Sequence, residues 1–415
     1  MSLFPLLWSA APLLAAVENM PEIAVHEDVE NGYGFVMYQV AFEDTFADPE
    51  LADTLEEKER RLLVREARGL KYDLETLEVV SRPYHKFFNI GEKPETQPHL
   101  VDWSRPHVIL EKLDGSMLTP LLKKATNEIL WMTKRGVTSV AGTAQQFLKD
   151  NPQYENFCRD MISKGYTPIF EWCTRKQRII LDYGPEDRMI LTGIRNNRSG
   201  DYMGFEEMGF VAGAWQVDVV KALDLSAENI DEFIEHTRAL EGEEGYIVRF
   251  DDGSMYKIKG EWYCRIHRTF DNLRFEKDVI RLILSGDLDD AKPFLVPTLI
   301  SAVDSFHRDM IQVLRKTASE LYWYVVTARD NLNGSKKKFA EQTLINSWEP
   351  YKGIAFHAWD RGLTEEEIYE RLISDMISAT GSQGSVNKAR YLIGGLEWKD
   401  YLNDEGTTDQ TSDSA

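Results

Sequence analysis

Near Phe270 the hydrophobic period of this 415-residue chain changes, and that change constrains its architecture more than any single motif. Before it, short apolar runs over residues 35–42, 77–81, 108–110, 169–172 and 189–194 read as strands. Residues 246–250 and 255–259 read as a hairpin around Asp251-Asp252-Gly253-Ser254, and a charged helix is expected over 55–67. After it, Leu299, Val303, Phe306, Met310, Val313, Thr317, Leu321, Tyr324 and Ala328 fall on one stripe at steps of three and four, which predicts one long amphipathic helix. Another helix is expected from Thr364, whose capping box with Glu367 precedes Ile368, Leu372, Ile373 and Met376. The pattern predicts a mixed α and β domain over 1–270 with its first 34 residues unplaced, and an all-helical domain over 271–400. Residues 401–415, acidic and without apolar anchors, are expected to be a disordered tail.

Apolar residues make up 43 % of the chain, which excludes a mainly disordered protein and fits two domains of ordinary size. The formal charge of −21 opposes any broad contact with phosphates, so a nucleic-acid site would have to be a local basic groove on an acidic body. Cys158, Cys173 and Cys264 form neither a CxxC pair nor a zinc spacing, and a reduced, cytoplasmic setting fits them. The apolar run 3–17 carries two prolines, has no basic leader and is too short to span a membrane. A docked N-terminal segment is expected instead. No heptad seam is visible, so a monomer is the expectation.

The chemistry concentrates after the strand at 108–110, in Glu111-Lys112-Leu113-Asp114-Gly115-Ser116. A lysine amine attacks phosphorus only when neutral, and nearby cations or a desolvated pocket would lower its pKa. Alone, Lys-x-Asp-Gly is weak: a chain this long shows it by chance about one time in ten. A solvated lysine before a turn is the plain alternative. The hairpin adds weight, because its two-residue period puts Lys257 and Lys259 on one face while Glu244-Gly245 on the partner strand supplies a carboxylate and a close backbone approach. Glu171, a carboxylate within the apolar Ile169-Phe170-Glu171-Trp172, needs a partner, either a ligand hydroxyl or a buried arginine.

The order Lys112-Leu113-Asp114-Gly115-Ser116, Phe170-Glu171, Glu244-Gly245-Tyr246 and Lys257-Ile258-Lys259 resembles the covalent nucleotidyltransferase superfamily of ligases and capping enzymes. Ser81-Arg82-Pro83-Tyr84-His85-Lys86-Phe87-Phe88-Asn89, Arg195-Asn196-Asn197-Arg198-Ser199-Gly200-Asp201-Tyr202 and Lys257-Ile258-Lys259-Gly260-Glu261-Trp262-Tyr263 are similar to the bacteriophage RNA ligase 1 family. The resemblance spans roughly residues 35–270. It implies an α+β adenylyltransferase domain of antiparallel sheets flanked by helices, followed by an all-α substrate-specificity domain. It implies an ATP-dependent RNA ligase using Mg²⁺ or Mn²⁺, which joins 5′-phosphate and 3′-hydroxyl RNA ends, as in repair of cleaved tRNA, in the cytoplasm of a host if the chain is phage-encoded. By the same resemblance Lys112 is the nucleophile that carries AMP, Glu244 places it and holds the metal, and Lys257 and Lys259 bear on the α-phosphate. Glu171 would bind the ribose and Arg68 and Lys86 the triphosphate, with Phe88, Gly115, Lys134 and Tyr263 near the nucleotide.

Two rivals remain open at this level. A DNA ligase or a capping guanylyltransferase shares the Lys-x-Asp-Gly chemistry, although the stretch from Arg68 to the Lys86-Phe87-Phe88-Asn89 run argues against both. An RNA-end-binding protein without catalysis is disfavoured because Lys112, Asp114, Glu244, Lys257 and Lys259 are all present. In the helical region, Lys336-Lys337-Lys338 reads as a solvated helix start before it reads as an RNA contact. Tyr322-Trp323-Tyr324 reads as packing before base stacking, with Tyr324 on the buried stripe.

Overall fold

In the computed structural model, which describes residues 3–401 apart from 43, 176–178, 274, 286–291, 293–294, 296, 346–350 and 381–385, the chain divides into two compact units between Cys264 and Arg265. The acidic tail expected from residue 401 lies, beyond Tyr401, outside the described residues.

In the first unit, β1 (Ile23–Asp28), β2 (Tyr33–Tyr38), β3 (Arg68–Asp73) and β4 (Val79–Ser81) form an antiparallel meander. Val36, Tyr38, Leu70 and Tyr72 of this sheet bury against α1 (Ala11–Val17) and α2 (Leu55–Val64), with Leu7, Leu13 and Val17 filling the layer between. The N-terminal segment is thus docked, and the Leu7 N–H donates to the Arg198 carbonyl at 2.8 Å. β2 stops short of residue 42 because its neighbours end first: Ile23 lies opposite Tyr38 and Arg68 opposite Met37, leaving Val40 and Phe42 exposed. α2 stops short of Ala67 because Glu66 turns inward to meet two buried arginines.

β5 (Phe88–Asn89) and β6 (His107–Glu111) open a second sheet, which the chain leaves for β7 (Ser116–Leu122), β8 (Ile129–Met132), β9 (Tyr166–Cys173) and β10 (Arg188–Asn196). These four form an antiparallel sheet ordered β10-β9-β7-β8, packed against α3 (Ser139–Asp150) and α4 (Pro152–Ser163). After α5 (Phe205–Ala214), the chain returns with β11 (Ala222–Leu223), α6 (Ile230–Arg238), β12 (Gly245–Phe250) and β13 (Met255–Lys259), and completes the order β11-β6-β12-β13-β5.

Period two sorts each of these strands. Phe170 and Trp172 of β9 pack on Leu148, Tyr154 and Phe157 of the helices, which leaves Glu171 on the opposite face. Tyr246, Val248 and Phe250 of β12 pack with Ile109, Ile258 and Phe233, which leaves Ile247 and Arg249 opposite. Burial of each such apolar side chain is worth about 1.5–3 kcal/mol, so register is set by the core and the polar face follows from it. Those polar faces line one cleft, shared by Glu171, Ile247, Arg249, Lys257 and Lys259.

α7 (Glu261–Asn272) leads to the second unit, in which α8 (Glu276–Ser285), α9 (Pro297–Asn331), α10 (Lys336–Ile345), α11 (Lys352–Arg361), α12 (Glu365–Ala379) and α13 (Val386–Leu392) surround one core. α9 is the long helix expected, but its buried line runs Val303, Phe306, Met310, Leu314, Ala318, Leu321, Val325 and Ala328. Leu314 and Val325 take the places assigned to Val313 and Tyr324, which are only half-buried, because a wide apolar face offers both neighbours and helix packing selects one. The Thr364 capping box forms as read, with the Thr364 side chain accepting from the Glu367 N–H and the Glu367 side chain accepting in return. Lys336, Lys337 and Lys338 are an exposed helix start, with Lys336 paired to Asp360 at 2.7 Å. Trp323 is exposed, whereas Tyr324 packs against Phe339. No helix among the described residues is long and apolar enough to cross a membrane.

Candidate active site

Lys112 leaves the end of β6 beside Glu244. Glu111 stands opposite Tyr246, and the Lys112 N–H donates to the Gly245 carbonyl at 2.9 Å. The Lys112 Nζ lies 2.5 Å from Glu244 Oε1, and the Lys259 Nζ lies 3.2 Å from the same oxygen. Gly245 permits this approach: its φ is +138°, and a Cβ there would stand 2.1 Å from the Ile258 carbonyl oxygen.

Burial alone would push the Lys112 ammonium down, but Glu244, backed by Glu171 and Asp114, outweighs it and holds the pKa above the ordinary lysine value. Burial works against the ionised Glu244 in turn, yet Lys112 and Lys259 hold that carboxyl below the usual range. The expected lowering of the Lys112 pKa is therefore reversed in the ligand-free protein, because the group at contact distance is a carboxylate and not a cation. The lowering falls on Lys257, which burial and then Lys86, Lys259 and Lys112 drive well below its ordinary value.

Asp114 borders the cleft but its carboxylate is already used. Oδ2 accepts the N–H groups of Ile180 and Leu181 at 2.8 and 2.7 Å, and Oδ1 accepts the Tyr263 hydroxyl at 2.6 Å. Asp114 thus braces the turn that follows Lys112, and Tyr263, 1 % exposed, acts through that brace. A Cβ on Gly115 would stand 2.5 Å from the Trp172 carbonyl oxygen, so packing of β7 on β9 demands glycine there.

Arg68, Gly115, Glu171 and Tyr263 line the same cleft as Lys112, Glu244, Lys257 and Lys259. Lys86 and Phe88 do not. Phe87 borders both this cleft and a second cavity, which Lys86 and Phe88 line together with Arg65 and Glu95. There the Lys86 Nζ lies 5.0 Å from the Tyr38 ring centre and 5.4 Å from that of Phe88, and burial draws its pKa down to about 8. Lys134 is buried with its Nζ 4.7 Å from the Tyr38 ring and is absent from the cleft lining. Its backbone sits so close to Gly69 that a Cβ there would be 2.6 Å from the Lys134 Cα.

Sequence reading missed Arg249, Tyr84 and Thr192, which also line the cleft. Arg249 shares the parity of Ile247 on β12, and that was its available signal. Also missed was how the two arginine-bearing motifs meet: Arg82 and Arg195 both bond Glu66, at 2.8 and 2.7 Å, and all three are at most 2 % exposed. Arg195 also donates to the Pro83 carbonyl at 2.6 Å, which fixes the segment that carries Tyr84 and Phe87 to the cleft.

The groove expected to be basic carries both signs of charge. Arg68, Lys112, Arg249, Lys257 and Lys259 face Glu111, Asp114, Glu171 and Glu244. No group of three or more His, Cys, Asp or Glu among the described residues could hold a metal ion. Glu244 is a carboxylate of the kind that, singly or in a pair, can hold a hard divalent cation whose shell phosphate oxygens and water complete.

A family model described as RNA ligase, of the T4 RNA ligase 1 type, matches residues 66–263, which include every cleft residue named above. A putative RNA ligase of Thermovibrio ammonificans is 30 % identical over 295 residues, covering 68 % of this chain and 72 % of the relative. RNA ligase 1 of bacteriophage TS2126 is 26 % identical over 218 residues, or 49 % of this chain and 52 % of that one. A putative bifunctional polynucleotide kinase/RNA ligase of Autographa californica nuclear polyhedrosis virus is 24 % identical over 246 residues, 55 % of this chain and 34 % of the viral protein. With a site of this geometry inside the matched region and two thirds of its length aligned to the Thermovibrio protein, the chain belongs to the RNA ligase 1 family.

Proposed function

We propose that the chain seals RNA as an ATP-dependent ligase, with Lys112 as the residue that carries AMP. The observation that supports this most directly is Lys112 held 2.5 Å from Glu244, with Lys257 and Lys259 on the adjoining strand of the same cleft.

In the first step the Lys112 Nζ forms a bond to the α-phosphorus of ATP as the bond to pyrophosphate breaks. Lys112 must first lose the proton that Glu244 stabilises. Glu244 would hold a divalent cation, Mg²⁺ or Mn²⁺, which would supply positive charge to the phosphates. With Glu244 so engaged, Lys257 and Lys259 would favour the neutral amine, and the Lys112 proton would pass to solvent. The same two lysines stabilise charge on the α-phosphate as it develops. Arg68 is on the wall for the outer phosphates and Glu171 for the ribose hydroxyls. In the second step an oxygen of the RNA 5′-phosphate takes AMP from Lys112, breaking the N–P bond. In the third a 3′-hydroxyl attacks that phosphate, AMP leaves, and a phosphodiester remains. Repair of cleaved RNA, tRNA included, in a cytoplasm is the setting this chemistry suits.

The test is incubation with α-³²P-labelled ATP and Mg²⁺ beside Lys112→Ala, after stripping any existing adenylate with pyrophosphate. Label that survives denaturation on the wild type alone is the expected result. Label on neither protein, or equally on both, would overturn the covalent reading. Efficient labelling by GTP, or sealing of nicked duplex DNA in preference to RNA, would move the chain to a capping or DNA-joining role.

A further inference from the structure

On the ladder between β12 and β13, Gly245 lies opposite Lys259, Ile247 opposite Lys257 and Arg249 opposite Met255. Side chains two residues apart face the same way, so Lys259, Lys257 and Arg249 step along the cleft wall at intervals of roughly 7 Å, starting from the Lys112–Glu244 pair. Arg249 is 4 % exposed. Its Nη2 donates to the Met203 carbonyl and its guanidinium lies 5.4 Å from the Tyr202 ring centre, but its Nη1 has no acceptor. Arg82 and Arg195, the other buried arginines among the described residues, share the Glu66 carboxylate between them. Arg249 has no carboxylate within ion-pair distance among the described residues, and Tyr84, which acts on it electrostatically, shares the cleft wall with it. Burial pushes the Tyr84 phenol up to about 12, so it stays neutral and offers no counter-charge.

A buried guanidinium with an unused donor and no counter-ion is costly unless a ligand completes it. The fold pays that cost at a cleft wall, two strand positions beyond the lysine assigned to the α-phosphate. We propose that Arg249 is a phosphate-binding residue of the ligation site, its Nη1 taking an oxygen of a substrate phosphate other than the α-phosphate held by Lys257 and Lys259. The Met203 carbonyl and the Tyr202 ring fix the rest of the guanidinium, and Nη1, covered in the ligand-free fold, meets the oxygen after a small side-chain shift. The phosphate comes from one of two sources: the pyrophosphate half of ATP or the 5′-phosphate of RNA. Only that identity rests on the ligase reading.

The experiment compares wild type, Arg249→Gln and Arg249→Lys in the full chain. One arm measures single-turnover lysyl-AMP formation from ATP without RNA, and a second measures sealing of an RNA strand already adenylylated at its 5′ end. A charge-assisted hydrogen bond of this kind predicts a fall of about ten- to a hundredfold for Arg249→Gln in one arm, partly restored by Arg249→Lys. Loss in the first arm names ATP as the source; loss in the second alone names RNA. Rates within threefold of wild type in both arms overturn the proposal. Titration with inorganic pyrophosphate and with a 5′-phosphorylated oligoribonucleotide decides the question even if the wild type forms no lysyl-AMP. A weaker Kd of Arg249→Gln for either probe then supports the phosphate site while the ligase reading fails; an unchanged Kd for both overturns the site. Should Arg249→Gln melt far below the wild type, the same comparisons with Arg249→Lys, which keeps the charge but loses the fork, carry the test.

Discussion

Replacing Glu66 with Gln should unfold the first unit far more easily, and the magnitude is set by the two guanidiniums it would leave behind. Glu66 accepts from Arg82 Nη2 and Nε at 2.8 and 3.1 Å and from Arg195 Nη2 and Nη1 at 2.7 and 2.8 Å. Burial opposes ionisation, but Arg195 and Arg82 outweigh it and hold the carboxyl at about 2, against an ordinary 4.5. That gap corresponds to about 3 kcal/mol of stability. Removing one partner of a buried pair costs about 3–5 kcal/mol by an independent route. The folded pKa is the lower one, so this stability is fully present above 4.5 and is lost as pH falls through about 2. Urea unfolding followed by tryptophan fluorescence should show Glu66→Gln less stable by about 3 kcal/mol at neutral pH, with the difference more than halved by about pH 3. A difference under about 1 kcal/mol at neutral pH, or one that acid leaves unchanged, would refute the reasoning. Arg195 also fixes the Pro83 carbonyl and Arg82 that of Pro5, so the variant should lose order at Tyr84, Phe87 and the N-terminal segment together.

Since Glu244 keeps Lys112 above the ordinary lysine pKa, the single-turnover rate of lysyl-AMP formation should climb as pH rises through neutrality, and a flat profile would contradict the proton inventory drawn here. Gly245→Ala sets a Cβ against the Ile258 carbonyl and displaces Glu244 from Lys112; adenylylation should fall by about a hundredfold, and a rate within threefold of wild type would show that the close approach is dispensable. Thr364→Ala removes the α12 capping box and should cost the helical unit about 1 kcal/mol in unfolding while lysyl-AMP formation stays unchanged; any loss of adenylylation would mean that the cap matters beyond its helix.

What the sequence shows and what it hides divide along a physical line. The β12/β13 hairpin, α9 and the Thr364 cap were readable because each rests on residues within a few positions of one another. The motif lysines and carboxylates were readable as a set, and eight of the eleven residues singled out do share one cleft: Lys112, Glu244, Lys257, Lys259, Arg68, Gly115, Glu171 and Tyr263. Lys86 and Phe88 line the neighbouring cavity, which could not be foreseen because the sequence does not tell which side of a segment faces inward, and Lys86 is still near enough to help lower the Lys257 pKa. Arg249 was overlooked for the same reason, since only the burial of Tyr246, Val248 and Phe250 tells which way it points. The Glu66 network could not be read at all, because its arginines lie 16 and 129 positions away and nothing local announces the meeting.

The sign of the Lys112 shift belongs to the hidden class too, and it bears most directly on mechanism. A lysine in a pocket with other lysines reads as a pre-activated amine, and Lys257 is what such a residue becomes here. Lys112 differs in having Glu244 at contact distance with Glu171 and Asp114 behind it, and these carboxylates keep it a stored ammonium. A nucleophile kept charged until its partner is drawn elsewhere stays unreactive toward stray electrophiles between turnovers. Lys112 and Lys257, lining one cleft, are therefore held at opposite protonation tendencies, Lys112 by the carboxylates around it and Lys257 by burial and neighbouring cations, and anything that engages Glu244 frees the attacking amine.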